Sequence, residues 1–397
     1  MTSPAPERGS VGEVLRVFGA LGLTSFGGPI AHLGYFRAEL VERRRWVDEA
    51  TYADLVALCQ FLPGPASSQV AMALGIERAG LLGGLAAWVG FTLPSALALA
   101  LFALGVGASA GPGAQGWLHG LKVVAVPVVA LAVRGMWQTL CPDARRATIA
   151  VAAAVATLAL PSALAQVATL AVAAALGWAL LRAEPRPLAS PGAASPVSPR
   201  AGLVAGALFL ALLVALPLLR GAWAPLDVVE RLCRVGALVF GGGHVVLPLL
   251  EREVVDPGWT TSERFLAGYG AAQAVPGPLF SFAAYLGFVL DTTPTRWAGA
   301  ALALVAIFLP SYLLVVAALP FWGRLRASPA CQAALAGTNA AVVGLLLAAL
   351  YDPVWRVAVE TRADVGLALV GLLALAVWKA PPWAVVAGTA IAAAALR

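Results

Sequence analysis

Residues Cys59 to Gly75 read CQFLPGPASSQVAMALG, an apolar, helix-compatible run cut in mid-course by Pro63-Gly64-Pro65. Proline has no backbone N–H and its ring collides with the preceding turn, so it stops a helix. At the first turn of a new helix the missing N–H would have been unpaired anyway, which makes Pro65 a natural helix start. The stretch reads as helix, break, helix. It occurs twice: Ala271 to Gly287, AAQAVPGPLFSFAAYLG, repeats the glutamine, the triplet as Pro276-Gly277-Pro278, and the serine that follows, 213 positions later.

The copies extend well beyond the triplet. Phe26-Gly27-Gly28 matches Phe240-Gly241-Gly242; Trp46, Gln60 and Ser68 match Trp259, Gln273 and Ser281; Pro94-Ser95 matches Pro310-Ser311; Gly120 matches Gly337, with an offset that drifts only from 213 to 217. Self-similarity held in one order over this length is the mark of a fused internal duplication. We expect a first repeat over residues 1–182, a Pro/Ser-rich linker over 183–202, an additional apolar helix over 203–226 and a second repeat over 227–397.

The chain has 397 residues, of which 60% are hydrophobic and 12% charged, and a mean hydropathy of +0.86. Soluble domains carry about 25% charged residues. Apolar stretches recur along the whole length, and as helices most of them can cross ~30 Å of hydrocarbon. The expected fold class is therefore an all-α polytopic membrane protein. The N-terminus, MTSPAPERGSVGEVLR, lacks the h-region and cleavage site of a signal peptide and is expected to be retained. The excess of 26 basic over 20 acidic residues reads as a topology signal, since no cationic tract or aromatic-basic module for nucleic acid is present. Cys59, Cys141, Cys233 and Cys331 are scattered, without a CxxC or metal-ligand spacing.

The two halves read as inverted. The loop after the first FGG carries Arg37, Arg43, Arg44 and Arg45, whereas its counterpart carries Arg252 and Arg264. Basic residues mark the cytoplasmic side and acids contribute little, so four against two favours opposite sides of the membrane. Trp46 and Trp259 are expected in the interfacial belts.

Discontinuous helices at matching places in two inverted halves point to a transporter binding site near the midplane. A broken helix presents free N–H groups and a positive dipole end, and irregular backbone is tolerated at membrane depth only where protein or a wet cavity adjoins it. Facing ends of this kind suit a small anion. The expected binding groups are Gln60, Gly64, Ser67 and Ser68 in the first half and Gln273, Gly277 and Ser281 in the second. The plainer alternative is that Pro and Gly only kink packed helices while Ser and Gln bond neighbouring backbone; the duplication tips the balance toward a site. Phe26, Gly27, Gly28, Pro63 and Pro65, with Phe240, Gly241, Gly242, Pro276 and Pro278, form the motif's frame.

Two further groups stand out. His32 and His244 follow the paired glycines and can relay protons, although their spacings differ by two residues and an interfacial or satisfied buried histidine explains each as well. Lys122 lies in an apolar run and corresponds to Asn339, a polar position in both copies; it lines a cavity or snorkels to the interface. With no GxxxxGK[ST] or HExxH in the chain, an ATPase or a membrane-embedded enzyme has little support, and no cofactor or metal is expected.

The run FGGPIAHLGYFRAELVERRRWVDEATYADLVALCQFLPGPASSQVAMALG, together with the second FGGGH and PGP block, resembles the long, two-domain form of the chromate ion transporter family. The resemblance covers nearly the whole chain. It implies a multi-pass protein of the bacterial inner membrane that exports chromate, driven by protons or the membrane potential, with sulfate as a competitor. Transport of sulfate or another small anion is the alternative. A homodimer is compatible with the sequence, which does not demand one. The departures lie in the second half, where Ala274-Val275 precedes the triplet and Phe280-Ser281 replaces Ser67-Ser68.

Overall fold

A computed structural model describes residues 9–396 apart from 27, 109–111, 161, 182–194, 240–245, 293 and 324–327. Residues 183–194 of the linker expected over 183–202 and the second motif's Phe240, Gly241 and Gly242 lie outside the described residues, as do Gly27 and His244. Among the described residues the chain is helical, without a strand. The first half consists of α1 (Val11–Thr24), α2 (Gly28–Phe36) with a π-helical continuation (Arg37–Arg43), α3 (Glu49–Phe61), α4 (Ala66–Ala108), α5 (Pro112–Leu140), α6 (Ala144–Ala159) and α7 (Ala163–Leu180). Next comes α8 (Pro199–Leu218), which begins inside the stretch read as linker because Ser198 caps it. The second half contains α9 (Ala224–Leu238), α10 (Val246–Val254), α11 (Ser262–Ala272), α12 (Phe282–Val289), α13 (Arg296–Ala318), α14 (Pro329–Ala349), α15 (Arg362–Ala376) and α16 (Pro382–Leu396).

Helix ends follow the local chemistry. Ser10, Asp48, Asp143, Ser162 and Thr261 each accept a backbone N–H of the first turn they precede, which satisfies one of the donors a helix start leaves open. α3 stops at Phe61, the four residues Leu62 to Pro65 are non-helical, and α4 restarts with the Pro65 carbonyl accepting from Gln69 N at 2.9 Å. α4 is itself two helices, joined through Ala79 and Gly80, the latter at φ 68°. In the second half α11 ends at Ala272 and a single 3₁₀ turn, Leu279–Ser281, leads into α12. The pattern helix, break, helix is thus present at both triplets.

Five stretches among the described residues are long and apolar enough to cross a membrane: Ala66–Gly105, Gly116–Leu140, Pro199–Leu218, Arg296–Phe321 and Pro329–Ala358. By contrast, the 16 residues of α6 reach only about 24 Å as a helix. Leu203, Val204, Leu208, Leu210, Val214 and Leu218 of α8 are exposed, as expected of a helix facing lipid.

The halves interlock. α1 packs on α4 just as α9 packs on α13, so each half builds the same entry pair. Beyond the triplets the partners cross: α5 of the first half lies against α15 and α16 of the second, and α14 of the second lies against α6 and α7 of the first. The corresponding glycines mark both crossings, since a Cβ at Gly337 would collide with the carbonyl of Ala173 and one at Gly120 with the backbone of Ala390. Ala173 and Ala390 are themselves 217 positions apart, the offset of Gly120 and Gly337, so the exchange is pseudo-symmetric.

Candidate functional site

The two triplets are fastened across the repeat boundary. Gly64 N donates to the Val239 carbonyl at 2.5 Å, and Gly277 N donates to the Ser25 carbonyl at 2.9 Å. Ser25 and Val239 are the residues that precede the two FGG motifs. Gly64 has φ 126° and Gly277 φ 100°, backbone that glycine adopts at little cost. Each also sits against the other half's Pro-Ser pair: a Cβ on Gly64 would stand 2.5 Å from Ser311 Oγ, and one on Gly277 2.9 Å from Ser95 Oγ. Each triplet glycine is therefore held between the residue preceding the other half's FGG motif and the other half's Pro-Ser step, an arrangement made twice.

Around the first triplet the junction is polar and buried. Ser67 and Ser68 stand in the opening turn of α4, 4% and 1% exposed. His32 of α2, 1% exposed, places Nδ1 3.3 Å from Ser67 Oγ, and its ring meets Phe91 edge-on with centroids 5.2 Å apart. Gln69 Nε2 donates to the Pro63 carbonyl at 2.6 Å, which closes the turn. Among the buried side-chain atoms left without a hydrogen-bond partner in the described residues are Ser25 Oγ, His32 Nε2, Ser68 Oγ, Gln69 Oε1 and Thr92 Oγ1 and, from the second half, Gln273 Nε2 and Ser311 Oγ. Buried polar groups are normally paired, and orphans such as Ser68 Oγ and Gln69 Oε1 in the opening turn of α4 are what an anion or ordered water would satisfy.

The second triplet differs. Ser281 is fully buried, but its hydroxyl donates to the Pro278 carbonyl at 2.7 Å. Phe280 and Phe282 flank it, with Phe282 stacked on Tyr285 at 5.8 Å and Phe280 against Phe308 at 5.9 Å.

Of the expected binding residues, Gly64 and Gly277 make the hydrogen bonds between the halves, Ser67, Ser68 and Ser281 are buried, and Gln273 is half-buried. Gln60 does not: its side chain is exposed on α3. The buried amide of the first half is instead Gln69, three residues inside α4. Lys122 is also elsewhere. Its Nζ lies 3.3 Å from Glu360 Oε1 in a cluster where His119 Nε2 meets Asp364 Oδ1 at 2.7 Å, and Asp364 completes the capping box of α15. Asn339 is half-buried on α14. Reading the sequence alone missed Ser25, Gln69 and Thr92, and used Ser95 and Ser311 only as repeat markers; the one signal was the recurrence of Pro-Ser at matching places.

Each loop tryptophan is covered by an arginine. Trp46 is 4% exposed and lies under Arg78, whose guanidinium is 5.2 Å from its ring, while Arg231 covers Trp259 at 4.8 Å. Arg78 is further held by Glu13 at 3.1 Å. Arg231 and Arg234 both reach Glu253, at 3.1 and 2.8 Å, and Arg234 also binds Glu230. In the first loop the hydrogen bond and charge of Glu49, and then the charge of Glu42, raise the pKa of Arg37 further, and hydrogen bonds from Thr51 hold the Asp48 carboxyl below its usual range.

Comparison with known proteins agrees with this architecture. No solved structure matches the chain. The chromate transport protein of Pseudomonas aeruginosa is 29% identical over 392 residues, covering 95% of this chain and 90% of the relative. The probable chromate transport protein of Synechococcus elongatus is 30% identical over 382 residues, covering 93% and 90%. An uncharacterized transporter of Bacillus subtilis, YwrA, aligns over 148 residues at 28% identity, covering 36% of this chain but 79% of its own length. The family model described as chromate transporter matches twice, over residues 12–178 and 226–394. With the doubled match falling on the two interlocked halves, the chain belongs to the chromate transporter family.

Proposed function

We propose that the protein is a secondary transporter that exports chromate, and that the oxyanion binds where the two triplets meet, against the N-terminus of α4. The observation that carries the reading is the group of orphaned, buried polar atoms at a junction contributed by both halves. Ser67, Ser68 and the first N–H groups of α4 act as donors, with His32 and Gln273 alongside. Neutral donors hold an oxyanion without a permanent ion pair, so the ion can leave again. Gly64 and Gly277 keep side chains away from the junction and let backbone approach it.

The names of the full-length relatives support chromate as the substrate, with sulfate, of the same shape and charge, as competitor. The halves are proposed to be inverted repeats whose triplets form discontinuous hairpins, in the division 1–182, 183–202, 203–226 and 227–397, in a bacterial inner membrane. Either a proton gradient or the membrane potential would drive export.

Uptake of labelled chromate into everted vesicles tests the reading. Uptake should require the protein, fall when sulfate is added and weaken in Ser68→Ala. If no anion moves under any gradient, the transporter reading fails. For topology, Arg44→Cys should be shielded from an impermeant external reagent and Asp256→Cys labelled; equal labelling would remove the inversion.

A further inference from the structure

The cluster at the first triplet is rich in hydrogen-bonding groups, yet among the described residues it contains one ionisable side chain, His32. The charges on the elements around α2 are engaged or distant. On α1, Glu13 pairs with Arg78 and Arg16 is exposed. On α3, which reaches α2 through Tyr52 Oη and the Leu33 carbonyl, the acids are Glu49, paired with Arg37, and Asp54. In the π-helical segment, Arg37 binds Glu42 and Arg43 binds Glu39. On α4, Glu77 and Arg78 lie ten or more residues beyond Ser67, about 15 Å along a helix. The stretch Gln273 to Ser281 carries no ionisable group.

A divalent oxyanion surrounded only by neutral donors is costly to bury, and no Lys or Arg of this cluster offsets it. Imidazole is the one side chain of the cluster that can gain a proton and a positive charge. Resting on the oxyanion reading of the site, we infer that a divalent tetrahedral oxyanion binds at the first triplet together with one proton, taken up from water by His32. The imidazolium then donates from both nitrogens. Nδ1–H points to Ser67 Oγ, which turns its own hydroxyl proton toward the anion, and Nε2–H, unpartnered in the described structure, serves the anion or a water on it. Only an N–H bond forms, and the anion is unchanged. By linkage, affinity rises as pH falls through the titration of His32 in the bound state.

Calorimetry on the full-length protein in detergent, with chromate above neutral pH and with sulfate in parallel, reads the protons directly when repeated in buffers of different ionisation heat. Wild type should take up about one proton per anion. His32→Gln keeps a donor but cannot titrate; it should bind roughly tenfold more weakly and take up none. Ser67→Ala leaves His32 in place but removes its acceptor, so the pH midpoint of binding should move lower. Wild-type binding without proton uptake overturns the inference while leaving the oxyanion site standing, and so does undiminished uptake in His32→Gln or an unmoved midpoint in Ser67→Ala. If neither anion binds wild type, the oxyanion reading falls first and this inference with it.

Discussion

The two Pro-Gly-Pro turns share one backbone plan and carry opposite chemistry. Both glycines occupy the left-handed region, both donate to the residue before the other half's FGG, and both face the other half's Pro-Ser step. Yet the first turn opens into Ser67-Ser68-Gln69 under His32, with several polar atoms unpaired, while the second opens into Phe280-Ser281-Phe282 with its hydroxyl already bonded to Pro278. Duplication has preserved the break and its cross-bracing, while most of the unpaired polar atoms named above belong to the first copy.

The comparison can be broken first at what the copies share. Gly64→Ala and Gly277→Ala force a side chain into left-handed backbone against a neighbouring serine, and each should destabilise the fold by about 1–3 kcal/mol. Thermal unfolding in detergent measures this, and tolerance at either glycine would undo the idea of a braced junction. The next largest effect should separate the copies. Ser68→Ala should raise the KM for chromate about tenfold, the equivalent of about 1.4 kcal/mol, by removing a donor from a buried anion. Ser281→Ala should leave KM within a factor of two; a larger effect there would mean that the second turn binds substrate as well.

Smaller still, Gln69→Leu should cost about 1 kcal/mol of stability through the Pro63 carbonyl it leaves unpaired. The exposed Gln60, replaced by Ala, should change neither stability nor transport. The smallest effect is expected at Lys122→Met. Its pair with the half-exposed Glu360 is worth at most about 1 kcal/mol, and chromate flux should stay near wild type.

The sequence made the duplication and the breaks plain because both are written in residues with strong local consequences. Proline and glycine dictate backbone wherever they stand, and a repeated Pro-Gly-Pro needs no tertiary information to be noticed. Gln60 shows where this legibility ends. It matches Gln273 in the repeat, but helix phase turns it outward, whereas Gln69, unremarked in sequence, is turned inward to close the turn. Lys122 was ambiguous for the same reason: its partner Glu360 lies 238 positions away, and only the exchange of α5 onto α15 brings them together. His32 needed the fold most, since a histidine near two glycines acquires meaning only from the serine and the unpaired atoms around it.

The crossing of α5 and α14 bears on how the protein is made. When the ribosome has completed the first half, α5 still lacks its main packing partners, having Trp117 against Phe102 of α4 but neither α15 nor α16. It must wait in the bilayer until residues 362–396 have been synthesised and inserted, and α6 and α7 must likewise wait for α14. Neither half can therefore reach its final packing alone. Truncation within the last hairpin should be felt first at α5, in the opposite half of the chain.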